Sequence, residues 1–240
     1  MNIFLCGQGY FGALVLGRLA ADGHEVVGVS APFTHPGPDG GRDLAFSLAC
    51  KLGLPVTQAG RLNAATMPGG VDLIVAAHSH DFISSAVRQR TALGAIGYHP
   101  SLLPLHRGRD AIRWTVKMGD RVTGGSVYWL SDAVDGGPIA AQDWCFIRPG
   151  DTPSELWQRD LQPMGVELLS EAVRDIGGKR LIMVPQDEAL ATWEPSWGRE
   201  PIFRPDLLRI GGVPGYNVLT RRGGREAGEN VFLKHERRLR

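Results

Sequence analysis

An α/β fold is what the sequence predicts: a mostly parallel open sheet with an antiparallel extension and a short C-terminal appendage. Three observations predict it. VDLIVAAHS, residues 71–79, is a near-continuous apolar run bounded by turn residues, the pattern of a strand buried on both faces of a parallel sheet. The first thirty residues read as strand, glycine turn, helix and strand, one βαβ unit of Rossmann-like kind. GGSVYWLSDA and IAAQDWCF alternate apolar with polar residues, as antiparallel strands with one solvated face do.

In chain order, NIFLC is an apolar strand ended by GQGYFG, ALVLGRLAADG has helical spacing, and HEVVGVS is the second strand. APFTHPGPDGGRD is a loop because its prolines and glycines deny it regular structure. LAFSLACKLGL reads as a helix stopped by Gly53 and Pro55. After VDLIVAAHS comes AIGYHPS, a buried strand ended by Pro100, then the loop LLPLHRGRD and a helix over AIRWTVKMGD. TPSELWQRDLQPMGVELLSEAVRDIGGK reads as one long helix with Thr152 as N-cap and Glu155 at the capping-box position. Residues 1–195 are expected to form one domain, and 196–240, where apolar periodicity is absent, an extension of unknown role.

The chain has 240 residues, 43% hydrophobic and 21% charged, the balance of a globular protein with a sizeable core. A net charge of +1, from 26 basic and 25 acidic residues, calls for neither nucleic acid nor an anionic membrane as partner. Cys6, Cys50 and Cys145 are widely spaced, which predicts reduced, mostly buried thiols. His78 and His80 lack a third ligand at fixed spacing, so no metal site is expected. The N-terminus lacks the features of a signal peptide and no run reaches membrane-span length, so a cytoplasmic location is expected, with oligomerisation open. Trp114, Trp129 and Trp144 lie in periodic apolar stretches and are expected in the core or a pocket wall.

Gly7, Gly9 and Gly12 form GxGxxG between strand and helix, the context of a dinucleotide fingerprint. That chemistry also needs an acidic residue at the end of the second strand to hold the ribose, and HEVVGVSAP offers Ser30 there. The glycines are therefore read as letting helix and strand pack closely, and a nicotinamide-dependent oxidoreductase is the weaker reading.

The segment richest in chemistry is GYHPSLLPLHRG, residues 97–108, where a buried strand ends at His99. Open α/β sheets place ligands at the carboxyl ends of their strands. Downstream, TGGSVYWLSDAVDGGPIAAQ carries Asp132 and Asp135 in a turn enforced by Gly136, Gly137 and Pro138. HPSLLP, the following HRG, the TGGS strand and the VDGG turn, in that order and with thirty-six residues from His99 to Asp135, resemble the folate-dependent formyltransferase family. GQGYFG, GHEVVGV, YHPSLLP and ATWEP extend the likeness over residues 1–195, and it is greatest to the hydrolase domain of 10-formyltetrahydrofolate dehydrogenase.

The resemblance implies the formyltransferase fold, 10-formyltetrahydrofolate as formyl donor, and an acceptor that is an amine or water. It implies that His99 and Asp135 are catalytic and that Asp81, Phe82, Ile83, Leu103 and Asp132 belong to the folate pocket. Ser101, Arg107 and Gly108 are the candidate acceptor-side contacts; Arg107 and Arg109 can equally be solvated loop arginines. The residue types suit acyl transfer independently. Attack on a formyl carbon builds an oxyanion that His99 can stabilise, and Asp135 can orient the imidazole and take the nucleophile's proton.

One position departs from the transferase pattern. An asparagine normally stands two residues before the histidine as a second oxyanion donor, and here that residue is Gly97. Tyr98 points to the opposite face of an extended strand and cannot replace it. Losing one such donor typically lowers a rate ~100- to 1,000-fold, which leaves a folate-binding sensor or subunit without turnover as the alternative.

Overall fold

The computed structural model describes residues 1–34, 41–79, 81–194 and 196. Its frame is a seven-stranded sheet in the order β3-β2-β1-β4-β5-β6-β7. The strands are β1 (Asn2–Gly7), β2 (Glu25–Ala31), β3 (Val56–Gln58), β4 (Leu73–Ala77), β5 (Ala95–His99), β6 (Val122–Trp129) and β7 (Ile139–Phe146). β1 to β5 pair in parallel, whereas β6 and β7 are added antiparallel beyond β5. The helices are α1 (Gly9–Ala21), α2 (Leu44–Lys51), α3 (Ser85–Arg88), α4 (Ala111–Met118), α5 (Pro153–Leu156) and α6 (Gln162–Gly177).

Strand alternation sorts the core into two layers. Ile3, Leu5, Val75, Ile96, Val127 and Trp129 face one side, where Leu16 and Leu19 of α1 and Leu169 and Val173 of α6 cover them. Phe4, Cys6, Ile74 and Ala95 face the other, under Met67, Ile83 and Val87. His99 shares the parity of Ala95 and Gly97, so it opens onto this second face at the carboxyl end of β5. Tyr98 lies on the first face, its ring 5.5 Å from that of Phe11 and its hydroxyl donating to the Leu161 carbonyl at 2.7 Å. Gly165 makes room for it, since a Cβ there would stand 2.6 Å from the Tyr98 ring.

The last long helix differs from its sequence reading. Thr152 and Glu155 do form a capping box, but the helix passes through a π turn at Trp157–Leu161 before α6 begins. Pro163 has no N–H and its ring crowds the carbonyl four residues earlier, so the regular ladder cannot cross this point. Two further expectations are corrected. Trp144 is exposed, because β7 is an edge strand, while Trp114 and Trp129 are buried. Of the thiols only Cys6 is buried, Cys50 standing exposed on α2. β3 and α3 are too short to give a periodic signal. No helix among the described residues is long and apolar enough to cross a membrane. His80 and, apart from Ser196, the extension over 196–240 lie outside the described residues.

Candidate active site

His99 is 7% exposed and pairs across the sheet with Ser126 of β6. Its Nε2 lies 2.7 Å from the His106 carbonyl oxygen. A carbonyl only accepts, so Nε2 carries a proton and the ring presents Nδ1 toward Asp135, whose Oδ2 is 3.7 Å away.

The loop between His99 and α4 holds this geometry through its own hydrogen bonds. Ser126 Oγ donates to the Ser101 carbonyl at 2.6 Å and accepts from the Leu103 N–H and from Gln142 Nε2. The segment at residues 191–194 then closes over the loop: Thr192 N–H donates to the Pro104 carbonyl, Arg107 N–H to the Thr192 carbonyl, and His106 N–H to Thr192 Oγ1.

The His106 side chain adds charge to this closure. Its Nε2 is 2.8 Å from Asp120 Oδ2, and its Nδ1 is 3.2 Å from the buried Glu194 carboxylate, close enough for an ion pair but off the line of a hydrogen bond. Burial works against its charge, yet the Asp120 hydrogen bond and the Glu194 carboxylate outweigh it and raise the imidazole pKa to about 9.

Asp135 sits at φ 50°, a left-handed turn conformation that aspartate tolerates better than most residues. Gly137 is obligatory in the same turn, since a Cβ would fall 1.7 Å from the Trp129 carbonyl oxygen. Both carboxylate oxygens are held: Oδ2 accepts the Gly108 N–H at 2.7 Å and Oδ1 the Tyr128 hydroxyl at 2.6 Å. Burial, with the Asp135 charge beside it, pushes the Tyr128 phenol well above its ordinary pKa, so it stays a donor. Gln186 braces the turn from behind, its Nε2 donating to the Asp135 and Gly137 carbonyls.

Several candidate contacts have other employment. Arg107 is 3% exposed and donates to both Glu188 carboxylate oxygens and to Gln186 Oε1, so its guanidinium is a brace inside the fold. Ser101 is fully buried and its hydroxyl donates to the Leu105 carbonyl. Gly108 directs its N–H at Asp135. All three spend polar groups inside the loop, as a tight, largely buried turn must.

Asp81 Oδ2 accepts from Ser30 Oγ at 2.6 Å and Oδ1 from the Gly60 N–H, pinning the loop after β4. Phe82 is 80% exposed, whereas Ile83 and Leu103 are buried among apolar neighbours. Asp132 is exposed and pairs with Arg88. Arg88, which sequence reasoning missed, donates to the Ile83 carbonyl at 2.7 Å and to Asp132 Oδ1 at 2.6 Å. One side chain thereby ties the loop after β4 to the loop carrying Asp135. Tyr128 and His106 were missed as well; the alternation of β6 and the HRG motif were their signals.

At the glycine turn, Gly9 N–H donates to Asp43 Oδ2 at 2.7 Å, while Asp43 Oδ1 accepts from Ala45 and Phe46 at the start of α2. A buried carboxylate therefore holds the place beside the α1 N-terminus that a bound pyrophosphate would need. A Cβ at Gly12 would meet the Gly7 carbonyl carbon at 2.9 Å, so close packing of helix on strand explains that glycine.

Residues 58–173 match the family described as formyl transferase. The mitochondrial 10-formyltetrahydrofolate dehydrogenase of Mus musculus is 40% identical over 204 residues, covering 81% of this chain and 22% of the relative. The cytosolic enzyme of that name from Homo sapiens is 39% identical over the same length and with the same coverage. The chain thus spans about a fifth of these relatives. Glycinamide ribonucleotide transformylase 1 from Symbiobacterium toebii superposes with a TM-score of 0.63 at 20% identity, over 78% of this chain and 94% of that one. The chain therefore carries a formyl transferase domain and is homologous, through it, to the formyltransferase-like domain of 10-formyltetrahydrofolate dehydrogenase.

Proposed function

We propose that this chain takes the formyl group of 10-formyltetrahydrofolate and passes it to water or to a small amine, with His99 and Asp135 as catalytic residues. The observation that carries the reading is the arrangement of the histidine ring: Nε2 fixed on the His106 carbonyl and Nδ1 turned to a carboxylate held on both oxygens.

In this reading the nucleophile attacks the formyl carbon and gives up a proton to Asp135. The carbonyl electron pair moves onto oxygen. His99 in its imidazolium form donates Nδ1–H to that oxyanion; the Asp135 carboxylate stabilises this charge before the attack and is itself neutralised by the nucleophile's proton. Collapse restores the carbonyl and breaks the bond to N10. The proton held by Asp135 passes to that nitrogen, releasing tetrahydrofolate with formate or a formamide.

The donor's flat aminobenzoyl ring can pack on exposed apolar side chains near the site. Phe82 on one loop and Val134 on the other are large apolar side chains left exposed, and Arg88 ties those loops together. Ile83 and Leu103, both buried, are proposed to supply apolar surface to the folate pocket. An acceptor phosphate at the glycine turn is disfavoured by the Asp43 carboxylate on Gly9 N–H. That favours water or an amine without a phosphate at this point.

The test is to supply the donor labelled with carbon-13 in its formyl group, with and without simple amines, and to identify the product by NMR. Labelled formate without amine supports the hydrolase form, and labelled formamide only with amine supports the transferase form. Folate binding without either product favours the sensor reading that Gly97 raises. Failure to bind folate overturns the proposal.

A further inference from the structure

Gly97 stands opposite Tyr128 in the β5–β6 register, both on the face that carries His99. A Cβ at Gly97 would press on the end of the Leu130 side chain, 3.1 Å away, and would meet Ala76 Cβ at 3.5 Å and Tyr128 Cε1 at 3.6 Å in ordinary contact. Leu130 and Tyr128 also pack together with Leu103. The Tyr128 ring runs past Gly97 and ends at Asp135, where its hydroxyl donates to Oδ1 at 2.6 Å.

We infer that Tyr128 is a positioning residue for formyl transfer: its hydroxyl fixes the Asp135 carboxylate beside His99. The inference rests on the formyl-transfer reading of the His99–Asp135 site. Where an amide at position 97 would reach the reacting oxygen itself, Tyr128 acts one atom further back, on the carboxylate that takes the nucleophile's proton. Its partner oxygen is otherwise met by no hydrogen bond among the described residues, whereas Oδ2 has the Gly108 N–H. Removing the phenol leaves a carboxylate held on one side.

Tyr128→Phe keeps the ring that packs against Gly97 and removes only the hydroxyl. A hydrogen bond to a charged group is worth roughly tenfold or more in an equilibrium, and the loss of that contact is what the comparison reads. The first measurement is therefore a pH titration of the Asp135 carboxyl carbon by NMR, in the full chain and in Tyr128→Phe. The second is the pH profile of kcat/KM with 10-formyltetrahydrofolate. The acidic limb is expected to move up in the variant, with kcat lower by about tenfold and KM for the donor little changed. Superimposable titrations and profiles for wild type and Tyr128→Phe would overturn the inference. Absence of turnover in the wild type would overturn the formyl-transfer reading instead, while the Asp135 titration would still decide whether Tyr128 holds that carboxylate.

Discussion

His99 donates its Nε2 proton to the His106 carbonyl oxygen, 2.7 Å away, and so presents Nδ1 alone to the site. The nitrogen that does chemistry is thus chosen by a backbone atom of the loop that follows the strand. His106 is in turn held by Asp120, Glu194 and Thr192, which brings a segment some ninety residues downstream into the positioning of His99.

His99→Gln is expected to lower kcat by about 100- to 10,000-fold, since an amide can neither carry the charge that stabilises an oxyanion nor exchange protons. Steady-state kinetics beside circular dichroism checks this. A variant that keeps its fold and half its activity would exclude His99 from the chemistry.

Asp135→Asn is expected to lower turnover by at least about 1,000-fold and to lower stability by about 1–3 kcal/mol. Two donors, Gly108 N–H and Tyr128 O–H, aim at the two carboxylate oxygens. An amide can satisfy only one and turns its own N–H toward the other. Urea denaturation followed by intrinsic fluorescence reads the stability loss.

His106 makes stability depend on alkaline pH. Its pKa is raised from 6.5 to about 9 in the folded chain, so its charged contacts stabilise fully below the unfolded value near 6.5 and are lost as pH rises through about 9. The contribution is up to about 3 kcal/mol. Melting temperature is expected to fall between pH 7 and 10, and His106→Asn, which tolerates the positive φ of this position, to flatten that slope. Parallel slopes in wild type and variant would contradict the assignment.

Arg107→Lys removes a fork that meets Glu188 and Gln186 together. We expect a stability loss of about 2 kcal/mol with KM for the folate donor unchanged. A tenfold rise in KM at unchanged stability would return Arg107 to substrate binding.

The sheet was readable because buried strands leave apolar runs; of the antiparallel pair, read from alternation, β6 is buried on both faces and only β7 has a solvated stretch. β3 and α3, at three and four residues, are shorter than any period that could announce them. The π turn escaped because Pro163 lies in a sequence otherwise spaced as one helix. His99 and Asp135 were legible as a spaced pair of motifs. The work of Arg107, Ser101 and Gly108 was not, because hydrogen bonds inside a loop depend on which carbonyls and carboxylates the fold brings near, and Glu188 is eighty-one residues from Arg107. Tyr128 was hidden for the same reason: its value lies in the hydrogen bond to Asp135.

The central claim is that His99 and Asp135 together move a formyl group. Its most direct test follows tetrahydrofolate formation from 10-formyltetrahydrofolate by absorbance in the wild type, His99→Gln and Asp135→Asn, with and without an amine. The account predicts turnover by the wild type in at least one condition and its loss in both variants. Equal rates in all three proteins, or no binding of the donor by the wild type, would contradict it.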